Sequence, residues 1–160
     1  MSKARIAIVA LSFSALGFVG LVLKEGYRGE AYRDVAGVPT IGYGTTKSVE
    51  MGDRVSPETA LVWAIRDVRK FEGAIKECVT VPLYQYEYDA YVSFAYNVGG
   101  QAFCGSTLVR KLNAGDYAGA CSELHRWVYA GGKRVQGLVN RRTHEYLTCI
   151  GRNRNQGEGQ

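Results

Sequence analysis

The chain opens with an uncharged apolar stretch of 18 residues behind two cationic residues. The stretch runs from Ile6 to Leu23, after Lys3 and Arg5. As a single helix it would measure about 27 Å, close to the roughly 30 Å hydrocarbon core of a membrane. The preceding positive charges predict that the N-terminus stays in the cytoplasm and that the chain beyond Leu23 is exported. The pattern therefore predicts an apolar signal-anchor helix within residues 1–23.

Two other interpretations of this stretch stay open, a cleavable signal peptide and a buried core helix. A cleavage site needs small residues just past the apolar run, and the sequence Leu23-Lys24-Glu25-Gly26 does not supply them. Small and polar residues also dilute the stretch, which leaves its insertion into a bilayer marginal. They are Ser12, Ser14, Gly17 and Gly20. We therefore expect an uncleaved anchor that is able to leave the membrane.

A period-two alternation follows the anchor. Residues 31–46 alternate apolar and polar positions around Ala36-Gly37, which predicts a small β-hairpin. Gly26 predicts the end of the preceding helix, because glycine readily adopts the left-handed conformation at a helix C-terminus. Pro39 indicates that the second strand is an edge strand, because proline has no N–H for the ladder.

Helical periodicity dominates the rest of the chain. Ser56 is a capping residue, Pro57 suits the first helical position, and apolar residues then recur at helical spacing as far as Ile75. This pattern predicts one long amphipathic helix. A tyrosine-rich helix is predicted over residues 84–97 and ends before Gly99.

Three shorter helices are predicted in the last third of the chain. They begin near Ser106, Asp116 and Gln136. The expected fold class is α+β, mostly α. We expect a small hairpin lobe and a helical lobe, joined by the long helix. A cleft between two such lobes suits a polymer substrate. The anchor is followed by one folded domain, residues 24–151, and by a flexible tail, residues 152–160.

The charge distribution favours a polyanionic partner. The 160 residues carry 20 Lys and Arg against 15 Asp and Glu, a formal charge of +5. Between residues 131 and 154 six cations face one acid, Glu145, which predicts a solvated basic surface. The cations are Lys133, Arg134, Arg141, Arg142, Arg152 and Arg154. Nucleic acid is not the expected partner, since the sequence has no helix-turn-helix, zinc or stacked-aromatic motif.

Four cysteines indicate two disulfides if the domain is exported. Cys121 and Cys149 lie in consecutive late helices that we expect to pack together, so we predict that they pair, which leaves Cys78 to pair with Cys104. Free thiols are the alternative in a reducing compartment. The spacings contain no C-x-x-C pair and the two histidines form no H-E-x-x-H motif, so we expect neither a metal nor a cofactor.

Three residues near the first helix end carry candidate chemistry. Glu25 lies in the last helical turn, where the negative end of the helix dipole favours the neutral, protonated carboxyl group. Asp34 follows at the end of the first strand and Thr40 in the second. A proton donor beside a carboxylate that directs water is what hydrolysis of a glycosidic bond requires.

The residues around this triad carry a family resemblance. The run Glu25-Gly26-x5-Tyr32-Arg33-Asp34-x2-Gly37-x2-Thr40-Ile41-Gly42-x-Gly44-Thr45 resembles the active-site segment of the phage-type lysozymes, glycoside hydrolase family 24. Later motifs resemble the same family, and the similarity spans roughly residues 24–151. These motifs are Ser93-Phe94-x-Tyr96-Asn97-x-Gly99, Ser106-Thr107-Leu108, Asn113-x-Gly115-Asp116-Tyr117, Arg126-Trp127, Ala130-Gly131-Gly132-Lys133, Gly137-Leu138 and Arg141-Arg142.

The resemblance implies a muramidase that hydrolyses the β-1,4 bond between N-acetylmuramic acid and N-acetylglucosamine in peptidoglycan. It implies that Glu25 is the general acid, that Asp34 and Thr40 position the water, and that the anomeric centre is inverted. It further implies substrate contacts at four hairpin positions, and some members carry histidine at the last of them. These positions are Tyr32, Gly42, Tyr43 and Thr45.

The N-terminus resembles that of the signal-arrest-release endolysins, which are exported uncleaved and become active when the anchor leaves the membrane. The resemblance implies a protein, expected to be a monomer, that is held at the inner membrane through residues 6–23 and then released into the periplasm. Glu25 lies two residues beyond Leu23, so anchoring would hold it at the headgroup boundary, away from the wall. No cysteine precedes Cys78, so a thiol switch within the anchor is not expected.

Two other activities stay open at this point. A membrane-tethered wall-binding or holin-like protein would keep the apolar stretch and the basic surface without needing Glu25, Asp34 and Thr40 together. A lytic transglycosylase would cleave the same polymer and leave an anhydro sugar in place of a reducing end.

Overall fold

The computed structural model describes residues 4–153 and divides into two compact units. The hairpin unit is Ala15–Lys70, and the helical unit combines the residues up to Ser14 with those from Phe71 onward. The predicted tail over residues 152–160 lies outside the described residues, except for its first two.

The hairpin unit begins with one helix and two antiparallel strands. Helix α1 is Ala15–Glu25, strand β1 is Arg28–Arg33 and strand β2 is Pro39–Gly42. In the register of the pair, Tyr32 lies opposite Thr40. The alternating pattern of the sequence therefore predicts this hairpin correctly.

Helix α2, Pro57–Cys78, is the predicted long helix and runs from the hairpin unit into the helical unit. The Ser56 hydroxyl accepts a hydrogen bond from the Thr59 N–H at 3.2 Å, which caps the first turn. Its apolar face completes the core of the hairpin unit. The buried side chains there include Leu21, Ile41, Ala60, Ala64 and Val68.

The helical unit is built around the tyrosine-rich helix. Helix α3 is Gln85–Val98 and packs along the last helix, α7, Gln136–Cys149. Tyr88, Tyr91 and Phe94 of α3 are fully buried, so the aromatic face forms core. The remaining helices are α4 (Gly100–Cys104), α5 (Thr107–Asn113) and α6 (Tyr117–Glu123).

Side-chain caps begin two of these helices at the predicted residues. The Ser106 hydroxyl accepts from the Val109 N–H at 3.2 Å before α5, and the Asp116 carboxylate accepts from the Gly119 N–H at 2.8 Å before α6. Each cap satisfies a backbone donor that the first helical turn leaves unpaired. These two predictions are confirmed.

A second small hairpin lies where the sequence predicts only a break between helices. Strands β3 (Tyr129–Ala130) and β4 (Lys133–Arg134) pair antiparallel. The turn between them is Gly131-Gly132, with φ angles of +56° and +74°. A two-residue hairpin turn needs two positive φ angles, which glycine adopts readily. The Gly131-Gly132 pair was therefore the sequence signal for these strands.

Both disulfides lie in the helical unit and have the expected pairing. Cys78 pairs with Cys104 at a Cα–Cα distance of 5.6 Å, and Cys121 pairs with Cys149 at 5.8 Å. The first ties the end of α2 to α4, and the second ties α6 to α7. Each is expected to stabilise the fold by about 2–4 kcal/mol.

The structure corrects the predicted anchor helix. Residues 8–10 form a single 3₁₀ turn, Ile6 pairs with Leu83 in an antiparallel bridge, and helix α1 begins only at Ala15. Among residues 4–153 no helix is both long and apolar enough to cross a membrane. The expected continuous helix over residues 6–23 is interrupted at Phe13 and Ser14. The Phe13 N–H donates to Glu72 Oε1 at 2.7 Å, and the Ser14 N–H donates to Asp89 Oδ1 at 3.0 Å.

The predicted basic surface also needs correction. Arg142 is 0% exposed and its Nε lies 2.9 Å from the Glu145 carboxylate, which is itself 1% exposed. Arg141 contacts the same carboxylate at 3.3 Å. These two arginines belong to a buried ion network because an acid stands three and four positions further along the same helix. Lys133 and Arg134 are exposed as expected.

Candidate active site

The candidate site begins at the C-terminal end of helix α1. The helix stops at Glu25 because Gly26 adopts a positive φ of +71° and its N–H bonds to the Val22 carbonyl at 3.0 Å. Glu25 is half-buried. Only Gly26 and Tyr27 separate it from strand β1, so the hairpin starts directly beyond the helix terminus.

Tyr27 fixes this short connection, and the sequence analysis missed it. Its hydroxyl donates to the Val55 carbonyl, and its ring lies 5.7 Å from the ring of Tyr43. The only signal in the sequence was its place between the helix stop and the strand. Tyr27 therefore acts as a positioning residue for the connection between Glu25 and the hairpin.

Asp34 lies in the turn that follows β1 and is held by backbone donors. Its Oδ1 accepts from the N–H of Ala36 at 2.9 Å and from the N–H of Val38 at 2.8 Å. These two bonds hold the carboxylate in one orientation. No hydrogen bond within residues 4–153 ends on Oδ2, so the second oxygen is available to accept from water.

Thr40 is tied to the same turn through Val38. The Thr40 hydroxyl donates to the Val38 carbonyl at 2.9 Å, and that carbonyl also accepts from the Asp34 N–H at 3.0 Å. A hydroxyl that donates to the backbone keeps its lone pairs for an incoming donor. The hairpin therefore brings the carboxylate of Asp34 and the hydroxyl of Thr40 to one turn.

The four predicted substrate-contact residues lie in different environments. Tyr32 and Tyr43 are half-buried, with part of each ring exposed. Gly42 has a φ of +66°, and a Cβ there would lie 2.9 Å from the Cβ of Ala60, so the backbone packs directly on α2. Thr45 is 1% exposed. Tyr32 and Tyr43 thus offer side chains to a ligand, whereas Gly42 offers only backbone.

Thr45 has a structural partner that sequence reasoning missed. Its hydroxyl donates to Asp67 Oδ2 on α2 at 2.7 Å. The backbones of Thr45 and Ile41 exchange two hydrogen bonds of 3.0 and 2.9 Å. The strand that carries Thr40 is therefore fixed at its exit by Asp67, as it is fixed at its entry by Asp34.

Comparisons with known proteins place this geometry in a family. A family model described as phage lysozyme matches residues 23–145. This chain belongs to the phage lysozyme family. Its fold is lysozyme-like, mostly helical with a small two-stranded sheet, and membership of the family makes it a glycoside hydrolase.

Individual relatives agree with this assignment. The SAR-endolysin of Pseudomonas phage phiKMV is 41% identical over 140 residues, covering 85% of this chain and 87% of the relative. The SAR-endolysin of Escherichia phage Mu is 38% identical over 152 residues, covering 89% of this chain and 88% of the relative. A solved endolysin from Escherichia coli O157:H7 phage FAHEc1 has a TM-score of 0.78 and 38% identity, over 88% of this chain and 94% of that chain.

Proposed function

We propose that the chain is an endolysin that hydrolyses the β-1,4 bond between N-acetylmuramic acid and N-acetylglucosamine in peptidoglycan. Family membership supports the class of reaction. The observation that carries the assignment of residues is the turn at Asp34. One carboxylate oxygen is clamped by two backbone N–H groups, the other is available, and the Thr40 hydroxyl is bound to the same Val38 carbonyl.

In the proposed reaction Glu25 donates its carboxylic proton to the glycosidic oxygen as the bond from that oxygen to the anomeric carbon breaks. A water molecule attacks the anomeric carbon from the opposite face. Asp34 accepts a proton from this water, and Thr40 orients it by accepting its other hydrogen. Inversion follows because the water enters opposite to the leaving group.

The hairpin explains why Asp34 suits this role. Clamping by Ala36 and Val38 restricts the rotation of the carboxylate, so the available oxygen is preorganised before substrate binds. Both donors are uncharged backbone N–H groups, so neither is an ion-pair partner of the carboxylate. The half-exposed rings of Tyr32 and Tyr43 would contact sugar faces, with Gly42 and Thr45 shaping the wall behind them.

Cell clearing tests the proposal against the wall-binding alternative. Purified full-length chain, Glu25→Gln and the exposed control Glu50→Gln are added to Gram-negative cells with a permeabilised outer membrane. We expect clearing by the wild type and the control, and a loss of about 10²–10⁴-fold for Glu25→Gln. Equal clearing by all three would instead support a membrane-disrupting or wall-binding protein.

We further propose that the chain is exported uncleaved, held at the inner membrane through residues 6–23 and then released into the periplasm as a monomer. Relatives named SAR-endolysin support this. The two disulfides are those of a protein that folds in an oxidising compartment. Fractionation of expressing cells tests it, since full-length chain should move from the membrane to the periplasm when the membrane potential is collapsed.

A further inference from the structure

One cation binds the turn that carries Asp34. Arg33, the last residue of β1, donates a hydrogen bond from Nη1 to the Gly37 carbonyl at 2.9 Å. The proposed reaction assigns no step to this side chain. Arg33 is exposed, and a hydrogen bond in water adds only modestly to the free energy of unfolding. Its effect is therefore expected on the turn itself rather than on the stability of the fold.

The Gly37 carbonyl belongs to the same peptide group as the Val38 N–H. That N–H donates to Asp34 Oδ1 at 2.8 Å. One peptide group therefore accepts from the Arg33 guanidinium at its oxygen and donates to the Asp34 carboxylate at its nitrogen. Because a peptide group is planar, a contact that fixes the oxygen also fixes the direction of the N–H.

The backbone on the two sides of this peptide group is restrained unequally. Val38 precedes Pro39, whose ring confines it to extended conformations. Gly37 has a φ of +79° and, as glycine, tolerates many backbone conformations. Rotation on the Gly37 side would withdraw the Val38 N–H from Asp34 and turn a carbonyl oxygen toward the carboxylate. The contact from Arg33 opposes this rotation.

Val38 also links Asp34 to Thr40. The Val38 carbonyl accepts from the Thr40 hydroxyl at 2.9 Å and from the Asp34 N–H at 3.0 Å. A displaced Val38 would therefore move both groups that are proposed to hold the attacking water. The orientation of one residue thus controls the geometry of the pair.

The positive charge of Arg33 strengthens the bond on the far side of the peptide group. Hydrogen bonds in a chain polarise one another, so a cation at the carbonyl oxygen makes the N–H a better donor. Only one guanidinium nitrogen is used, and a lysine ammonium can replace such a point contact. A glutamine amide can donate to the same carbonyl but carries no charge.

We propose that Arg33 is a positioning residue for the proposed hydrolysis. It holds the peptide group between Gly37 and Val38 in place. Through that group it keeps Asp34 and Thr40 directed at the attacking water, without touching the substrate or the water. The proposal rests on the proposed function, and it adds the group that keeps the two water-binding residues in position.

Steady-state kinetics test this role. Release of reducing ends from purified peptidoglycan is measured for full-length wild type, Arg33→Gln and Arg33→Lys. Arg54→Gln is the matched control, because Arg54 is an exposed arginine of the same unit that pairs with Glu30 at 3.5 Å. We expect Arg33→Gln to lower kcat about tenfold with KM within about twofold of wild type. The Arg33→Lys protein should recover most of this loss, and the control should stay within about twofold of wild type.

The amide signal of Val38 gives a readout that does not depend on activity. In proton–nitrogen spectra of Arg33→Gln we expect the Val38 amide proton to move upfield, because its bond to the Asp34 carboxylate weakens. The amide signals of α7 should stay where they are in wild type, which shows that the variant is folded. An unmoved Val38 signal would contradict the proposal.

The outcomes separate the role of Arg33 from the proposed function. Wild type that releases no reducing ends would refute the proposed function, and the positioning role with it. Active wild type, with Arg33→Gln equal to the Arg54→Gln control, would overturn the role of Arg33 alone. A raised KM at unchanged kcat would mean that Arg33 binds substrate directly, and a lowered thermal midpoint in Arg33→Gln alone would mean that it supports the fold. Either result would overturn the positioning role.

Discussion

Three carboxylates of the helical unit and the Asp34 carboxylate of the hairpin unit are held in different ways in this phage lysozyme family member. In the helical unit, Glu87, Glu123 and Glu145 each contact a cationic side chain. In the hairpin unit, the two hydrogen bonds to the Asp34 carboxylate come from backbone N–H groups. The first three acids have cationic partners, whereas Asp34 is held by neutral donors and has one oxygen available to accept from water. The comparison therefore distinguishes these three ion-paired acids from the proposed catalytic one.

The largest effect on catalysis is expected at Asp34. We expect Asp34→Asn to lower kcat about 10²–10⁴-fold with little change in thermal stability, because the amide cannot accept the proton of water. Asp53→Asn is the matched control, since Asp53 also holds a turn of the hairpin unit, by accepting from the Glu50 N–H at 2.9 Å. Steady-state release of reducing ends from purified peptidoglycan measures both. Equal losses in the two variants would contradict the role of Asp34.

At Glu145 the expected loss is in stability. Glu145→Ala would leave Arg142 with an uncompensated buried charge and destabilise the protein by about 3–5 kcal/mol. Urea denaturation measures this, with Glu77→Ala, a truncation of an exposed acid, expected within about 0.5 kcal/mol of wild type. A loss below about 1 kcal/mol at Glu145 would mean that the buried network is not a stabilising feature of the helical unit.

Much of the fold could be predicted because its signals are local. The hairpin, the cap at Ser56 and the helix starts at Ser106 and Asp116 each depend on residues within a few positions of one another. The disulfide pairing followed from which late helices are neighbours. For the hairpin and the helix starts, the physical cause lies inside the stretch of sequence that reveals it.

The remaining features depend on contacts between distant residues. The predicted helix over residues 6–23 is interrupted because Glu72 accepts from the Phe13 N–H and Asp89 from the Ser14 N–H. No local sequence pattern connects these pairs of residues. Thr45 could be recognised as part of a motif, but its partner Asp67 lies 22 positions away. Arg142 is a partial exception, because its partner Glu145 lies only three positions further along the helix. The charge count included both residues but did not treat them as an ion pair.

A smaller effect concerns acid stability. The hydrogen bond from Lys111, together with the charge of Arg126, holds the pKa of Glu123 below its usual range. A lowered pKa means that this contribution is present at neutral pH and is lost as the pH falls through the lowered value. We expect Glu123→Gln to flatten the acid limb of a plot of urea midpoint against pH. An unchanged limb would show that another group governs it.

The smallest effect is expected at the exposed cations of the second hairpin. Lys133→Gln combined with Arg134→Gln should slow lysis about two- to threefold at low ionic strength and not at high salt, because screening removes long-range attraction to an anionic wall. Lys47→Gln with Arg69→Gln removes the same charge from the hairpin unit and should have less effect. An equal loss at every salt concentration would contradict a role in association.

The most direct test of the proposed chemistry is the fate of the attacking water. Purified full-length chain digests peptidoglycan in water enriched in heavy oxygen, and mass spectrometry reads the released muropeptides. Hydrolysis directed by Asp34 and Thr40 predicts one heavy oxygen atom at each new muramic acid reducing end, and loss of that product in Asp34→Asn. Anhydro-muramic ends without heavy oxygen would contradict the account, because they would mean that no water enters the reaction.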